Sequence, residues 1–178
     1  SASKILTASV VHALVERGVL SLEERVADTI PALGQHGKHT ILLRHLLHHT
    51  AGIPDMPQGL DPMGALADLS ASMHDLCRVP SRSPPGATVA YHPISSWVLL
   101  AELLQRRTGH ALRTLSRELL LDPLGLDQVG YGVSPARLDD VALHAYTGAR
   151  NVPVMRDVFI RTVGVTPRKA VELSNSPA

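Results

Sequence analysis

Apolar side chains recur at helical spacing along most of this chain, and this pattern constrains the fold more than any other feature. Residues 4–17 show it first, and Gly18 follows as a typical helix end. No long stretch alternates apolar and polar residues, so only short strands are expected, near 87–90 and 128–131. Further helices are predicted at 21–31, 41–48, 64–77, 94–107 and 111–121, with similar patterns near 136–144, 154–163 and, less clearly, 168–173.

Composition limits the classes of protein that this chain can belong to. Its 178 residues suit one domain or part of a larger one, and the low aromatic content of 3% leaves Leu, Val and Ala to fill the core. The net charge of +1 gives no electrostatic case for a nucleic-acid partner or an anionic membrane. The single cysteine, Cys77, rules out an internal disulfide, and no apolar run is long enough to be a transmembrane segment.

The first four residues place a hydroxyl and an amine one helical turn apart. Ser1 and Lys4 stand at the start of the first helical pattern, and residues three apart share a helix face. Serine is a weak nucleophile until a neighbouring base accepts its proton, so this spacing suits an activated serine. The alternative is a helix cap followed by an exposed lysine, because Ser-x-x-Lys arises by chance about once per few hundred residues.

A tyrosine on a loop before an apolar helix is the second candidate catalytic group. Tyr91 follows a proline-rich turn and precedes the helix predicted at 94–107. If a nearby ammonium stabilises its phenolate, such a tyrosine can act as a general base. The alternative is a tyrosine that only packs at the junction of loop and helix, which is the more usual role.

Three histidines, His45, His48 and His49, would share one face of the helix predicted at 41–48 and so raise a metal hypothesis. No cysteine or glutamate with ligand spacing accompanies them, and the paired-histidine zinc motif with its glutamate is absent. We therefore predict no metal, and we expect His49 to bind neighbouring backbone at the helix end.

Taken in order, these stretches resemble the serine hydrolase family of class C β-lactamases, low-molecular-weight penicillin-binding proteins and related esterases. The resemblance covers nearly the whole chain. The nucleophile motif, the LLxHTSG stretch (with Ala51 in place of serine), the tyrosine motif with its helix and the PLGM turn all have counterparts. The matching segments are SASKILTA at 1–8, GVLSL to IP at 18–31, TILLRHLLHHTAG at 40–52, PG to TG at 85–109 and DPLGL at 122–126.

The resemblance implies a role for each matching residue. Ser1 would be the acylated nucleophile, with its backbone N–H as one donor of the oxyanion hole. Lys4 would be the proton partner of Ser1. Tyr91 would act as a base toward Ser1 or as an acid toward the leaving group. The implied fold is an α/β domain of the β-lactamase/transpeptidase type, of which this segment would be the mostly α-helical part with few short strands.

Two departures from the family pattern matter. The family's Tyr-x-Asn motif is Tyr91-His92-Pro93 here, so the asparagine amide is replaced by a residue that cannot donate, and His92 is a weak candidate substrate-binding residue. The family's Lys/His-x-Gly strand is expected beyond residue 178, and other sheet strands upstream of Ser1. Residues 1–178 are therefore expected to be the central part of one domain, and this segment by itself is not expected to hold a complete site.

The sequence thus predicts a serine hydrolase that forms an acyl-enzyme on small esters, with β-lactams or peptides as further amide substrates. The alternative is a non-catalytic binding or regulatory relic of the same fold; a remote third option is that the α-amine of Ser1 activates its hydroxyl. No cofactor is expected. Exposed sheet-facing surface would favour self-association. The chain lacks an initial Met, so we expect a longer gene product and predict no compartment.

Overall fold

The computed structural model describes residues 2–54, 69–145, 156–160 and 166–175. Helices dominate this part of the chain, as the apolar periodicity predicts. Their bounds are α1 (Ser3–Glu16), α2 (Val26–Thr29), α3 (Leu43–Leu47), α4 (Leu69–Arg78), α5 (Ser95–Thr108), α6 (Leu112–Ser116), which continues as a π-helical turn (Arg117–Leu121), and α7 (Pro167–Ser174). Two 3-10 turns (Pro31–Gly34 and Pro135–Asp140) and a helical turn at 156–160 accompany them. None of the described helices has the length and apolarity to cross a bilayer.

The central element is α5, which packs against α2, α3, α4 and α6. It can contact so many neighbours because its apolar side chains are spread over more than one face, and burial of each full-sized one contributes about 1.5–3 kcal/mol. The helix ends where Gly109 takes a left-handed φ of +76° and its N–H donates to the carbonyl of Gln105 at 2.8 Å. The buried set is Val98, Leu99, Leu100, Leu103 and Leu104.

The first helix, α1, buries one stripe of its surface and ends at the predicted position. Its buried side chains, Thr7, Val10, Val11 and Leu14, lie on the face that meets α6 and the π-helical turn. Gly18 follows the helix with a φ of +69°, a conformation that glycine adopts without steric cost. The packing of these later turns of α1 against α6 and the π-helical turn therefore fixes the position of its first turn.

The helix predicted at 21–31 begins later than expected, because residues 21–24 form a hydrogen-bonded turn instead. The N–H of Ser21 donates to the carboxylate of Glu24 at 2.8 Å, and the Ser21 hydroxyl accepts the N–H of Glu23 at 3.2 Å. These bonds close a turn rather than start a helix, because the N–H of Val26 is taken by the carbonyl of Ile41 at 2.9 Å. A long-range bond therefore sets the start of α2.

The short strands expected at 87–90 and 128–131 are wrong. Neither stretch forms a strand, and the described ranges contain one isolated β-bridge, which lies elsewhere in the chain. In the first stretch the N–H of Ala90 donates instead to the carbonyl of His49, at 3.0 Å, in the turn that follows α3. The β-propensity of this stretch does not produce a strand because its backbone bonds to a turn and not to another strand.

A buried lysine closes the end of α4. Lys38 is fully buried, and its Nζ donates to the carbonyls of Cys77, at 3.0 Å, and Val79. The last carbonyls of a helix have no partner within the helix, and a cation near them also interacts favourably with the helix dipole. Burial lowers the pKa of the Lys38 ammonium. The loop before α3 is thereby fastened to α4.

The turn after α3 packs closely against the loop that leads to α5. The N–H of Arg82 donates to the carbonyl of Gly52, and that of Gly86 donates to the carbonyl of Thr50, both at 2.8 Å. Gly52 has a φ of +76°, and a Cβ on it would collide with the backbone carbonyl of Ser83. Position 52 therefore requires glycine for both its backbone conformation and its close contact.

Gly52→Ala should destabilise the intact protein far more than Gly18→Ala. Both residues have a positive φ, which costs an alanine about 1–2 kcal/mol, but nothing lies within 4 Å of a Cβ on Gly18. The collision at position 52 should raise the loss to about 3 kcal/mol or more. Urea denaturation of both variants measures the difference, and equal losses would contradict the proposed collision.

Candidate active site

Lys4 joins the first turn of α1 to the loop that precedes α5. The half-buried side chain extends to the carbonyl of Pro93, 89 residues along the chain, to which Nζ donates at 2.9 Å. The ammonium also lies 4.9 Å from the ring centroid of Trp97 and 5.7 Å from that of Tyr91. The structure thus brings two of the predicted catalytic side chains, Lys4 and Tyr91, into one cluster.

Tyr91 is 44% exposed and lies on a loop that is fixed on both sides. The N–H of Ala90, on one side, donates to the carbonyl of His49 at 3.0 Å. The N–H of His92, on the other side, donates to Nδ1 of the same histidine at 3.1 Å. The rings of Tyr91 and His49 lie 4.9 Å apart between centroids. A partly exposed phenol is therefore held beside Lys4 by backbone bonds on both flanks.

His92 is fully buried and connects the tyrosine loop to the turn after α3. Its Nε2 accepts the N–H of Ile53 at 3.0 Å, and the Ile53 carbonyl accepts the hydroxyl of Ser95 at 2.6 Å. The His92 ring also stacks on His49, with centroids 5.8 Å apart. These contacts favour a supporting role for His92, and its weak contact with substrate stays a prediction.

Ser1 lies outside the described residues, so its contact with Lys4 stays a prediction. The chain is already helical at Ala2, whose φ and ψ of −56° and −37° are those of an α-helix, and the N–H of Ile5 donates to the carbonyl of Ala2 at 3.1 Å. The helical geometry on which the Ser1–Lys4 spacing depends thus extends to residue 2. In the described part of this turn, Lys4 is bonded to the carbonyl of Pro93.

The histidines of the metal hypothesis do not share a helix face. α3 stops at Leu47, His48 caps it, and His49 adopts a left-handed φ of +58°. His45 points inward, and its Nδ1 accepts the N–H of Leu42 at 3.2 Å. Across the described ranges, no group of three or more His, Cys, Asp or Glu side chains could hold a metal ion. The prediction that His49 binds backbone is correct, but the partner is wrong. Its imidazole accepts the backbone N–H of His92, which lies in a distant loop rather than next to the helix end.

Two of these histidines are kept neutral by their surroundings. Burial lowers the pKa of His45, with further lowering by the charges of Arg44 and His48. Burial also lowers the pKa of His49, and the ammonium of Lys4 lowers it further. Because each ring accepts a backbone N–H at Nδ1, the proton of each neutral ring must be on Nε2. Protonation of Nδ1 would break both bonds.

Tyr131 is a contact of the site that the sequence did not indicate. Its hydroxyl donates to the carbonyl of Ser3 at 2.8 Å and lies 2.5 Å from the hydroxyl of Thr7. Burial raises the pKa of this phenol, so it remains a neutral donor at ordinary pH. The bond holds the turn of α1 that carries Lys4. No local sequence pattern indicates a contact between residues 128 positions apart. The one available signal is that the chain has only three tyrosines.

The free energy of unfolding should fall as pH drops from 7 toward 5. His45 and His49 have folded-state pKa values below 6.5, so just below that pH the unfolded chain binds more protons than the folded one. Their contribution is complete above pH 6.5 and is lost as pH falls through the folded pKa values. The groups facing His49 are Lys4, Tyr91, His92 and the ring of Trp97, which does not titrate.

Denaturant titrations at several pH values test this prediction. A variant with His45→Asn and His49→Asn should show a shallower slope than the parent, because asparagine keeps an acceptor and does not titrate. His12→Asn changes an exposed histidine and serves as the control. A slope that the double variant shares with the parent would contradict the assignment.

Tyr131→Phe should lower the free energy of unfolding by about 1 kcal/mol, because it removes the hydroxyl that binds Ser3 and Thr7. Thr7→Val removes one of the same contacts. The two losses should not add in the double variant, since both changes break one shared bond. Chemical denaturation of the four proteins measures this coupling, and strict additivity would show that the Thr7–Tyr131 bond contributes nothing.

Comparison with known proteins places the chain in a family. The sequence matches the Beta-lactamase family over residues 1–165. It is 34% identical over 136 residues to the Esterase/beta-lactamase LipL of Mycobacterium tuberculosis, covering 76% of this chain and 31% of that protein. Penicillin-binding protein 4 of Amycolatopsis lactamdurans is 30% identical over 136 residues, with coverage of 72% and 34%. The chain thus spans about a third of the length of these relatives.

Solved structures show the same relationship in three dimensions. A penicillin-binding protein homologue from Caulobacter crescentus matches with a TM-score of 0.78 and 28% identity, over 96% of this chain and 47% of that one. A family VIII carboxylesterase matches with a TM-score of 0.76 and 27% identity, over 82% and 40%. These matches confirm the predicted β-lactamase/transpeptidase-like fold, and the chain belongs to the Beta-lactamase family.

Proposed function

We propose that this chain carries the nucleophile and the proton-transfer groups of a serine hydrolase that acts through an acyl-enzyme, with small esters as its main substrates. The observation that carries the proposal is the placement of the Lys4 ammonium against the Pro93 carbonyl and beside the Tyr91 ring. A lysine and a tyrosine from distant segments meet there at the end of the helix on which Ser1 is expected. The Beta-lactamase family includes proteins named as esterases, which supports the ester class.

The proposed reaction has two steps. In the first, the Ser1 hydroxyl attacks the ester carbonyl while its proton passes to Lys4 in its neutral amine form or to Tyr91 in its phenolate form. The negative charge on the carbonyl oxygen is held by backbone N–H donors, including that of Ser1. The C–O bond to the alcohol then breaks, and the alcohol leaves with the proton. In the second step, water attacks the acyl-enzyme and releases the acid, which restores the Ser1 hydroxyl.

The replacement of the family's asparagine by Pro93 supports esters over amides as substrates. The carbonyl of Pro93 gives Lys4 an acceptor, but proline offers no donor for a substrate amide. An amine leaves only when it has been protonated, whereas an alcohol is a better leaving group and needs less help. β-Lactams and peptides are therefore the secondary substrate class, and His92 is proposed to contribute only weakly to binding.

We propose further that residues 1–178 form the central part of one hydrolase domain. The chain covers 31–47% of the length of the relatives and solved structures compared above. Apolar side chains are also exposed in its later part, including Leu124 at 68% and Leu143 at 79%. These side chains are available to pack against the remaining sheet or a second copy of the chain. The activity therefore belongs to the intact protein.

Ser1→Ala in the intact protein should reduce hydrolysis of a p-nitrophenyl ester by about 10³-fold or more, because the acyl-enzyme cannot form. Ser9→Ala is the matched control. Ser9 lies on the same helix and its hydroxyl bonds only locally, to the carbonyl of Ile5 at 3.0 Å. Undiminished hydrolysis by Ser1→Ala would exclude the proposal. A fluorophosphonate probe separates an enzyme from a binding relic, since it should label the parent and Ser9→Ala but leave Ser1→Ala unlabelled.

Lys4→Arg tests the proton-transfer role separately. Arginine keeps the charge and a donor for the Pro93 carbonyl, but it stays protonated at working pH and cannot exchange a proton with Ser1. We expect a loss of about 10²–10⁴-fold in kcat with little change in unfolding free energy. Steady-state kinetics with the same ester measures it. Near-parental turnover would reduce Lys4 to an electrostatic or structural role.

A further inference from the structure

His49 controls the backbone on both sides of Tyr91. Its carbonyl accepts the N–H of Ala90 at 3.0 Å, and its ring Nδ1 accepts the N–H of His92 at 3.1 Å. One residue thus accepts the backbone N–H groups of both residues that neighbour the tyrosine in the chain. Its ring also lies against that of Tyr91, with 4.9 Å between the centroids. The conclusion that follows rests on the proposed catalytic role of Tyr91.

The backbone conformation of His49 makes both bonds compatible. With a φ of +58°, residue 49 is left-handed, which ends α3 and turns its carbonyl and side chain toward the tyrosine loop. Histidine, asparagine and aspartate tolerate this conformation better than most residues with a Cβ. Burial and the Lys4 charge lower the pKa of His49, so Nδ1 is an acceptor at neutral pH.

We infer that His49 is a positioning residue that sets the place of the Tyr91 phenol relative to Lys4. Tyr91 is 44% exposed, and the two bonds from His49 hold the backbone on either side of it. Loss of the Nδ1 acceptor would release the N–H of His92 and let the loop shift against Lys4. A displacement of about 1 Å between reacting groups can cost about 10²-fold in rate.

Three substitutions separate the acceptor from the bulk of the ring and from the backbone conformation. His49→Asn keeps an acceptor near the position of Nδ1 and tolerates a positive φ. His49→Gln places its amide near the position of Nε2, where it does not meet the N–H of His92. His49→Gly allows the positive φ and keeps the backbone carbonyl, but it offers no side-chain acceptor. A ring that serves only packing would be replaced about equally well by asparagine and glutamine.

The measurements use the intact protein. With a p-nitrophenyl ester, His49→Asn should keep kcat within about 3-fold of the parent, whereas His49→Gln and His49→Gly should lose about 10- to 100-fold in kcat with KM nearly unchanged. Amide hydrogen exchange followed by mass spectrometry should show faster exchange at 90–92 in the glutamine and glycine variants and parental protection in the asparagine variant. Denaturation midpoints for all three identify any general loss of stability.

The inference is overturned if asparagine is no better than glutamine and glycine in kcat. It is also overturned if exchange at 90–92 is the same in all variants, or if exchange rises while kcat stays parental. Hydrogen exchange is read without turnover, so it reports on the His49 bonds even if Ser1→Ala were fully active. That last result would exclude the proposed hydrolase mechanism alone, and the two failures are therefore distinguishable.

Discussion

The hydrogen bond from Lys4 to the Pro93 carbonyl is the contact on which the candidate site depends. It is the point at which the first turn of α1 meets the loop before α5, and it fixes the ammonium beside the rings of Tyr91 and Trp97. The Pro93 carbonyl is available because it lies just outside α5, whose first helical bonds are accepted by Ile94. Without this bond the amine would be one flexible side chain at a helix end.

The same bond gives Lys4 a backbone acceptor at a position where the resemblance predicts a polar side chain. The resemblance to the β-lactamase-related hydrolases predicts an asparagine at position 93, and judged by side chains its loss removes both an acceptor and a donor. Every residue has a backbone carbonyl, however, so the chain can present an acceptor to Lys4 whatever side chain is at that position. Only the donor is lost, since proline has no N–H.

The sequence predicted those parts of the structure that depend on local order. Gly18 and Gly109 mark the ends of α1 and α5 because a left-handed glycine there is a local requirement. The prediction that three histidines share one helix face was wrong because it assumed helical spacing beyond Leu47. The helix ends there, and His49 has a left-handed backbone conformation. Tyr131 was missed because its partners lie more than a hundred residues away, and no periodicity records such a pairing.

The packing of the fold and the position of the proposed catalytic tyrosine both depend on the short turn at 49–53. Gly52 is required there for close packing, His49 bonds the flanks of Tyr91, and Ile53 is held by the buried ring of His92. Both hydrogen bonds join a backbone N–H to an imidazole ring, so they depend on the side chains of His49 and His92 as well as on the backbone path. A change that moves this turn must therefore move the tyrosine loop with it. Folding of the turn and placement of the phenol are therefore coupled through His49, whose carbonyl and ring bond the tyrosine loop.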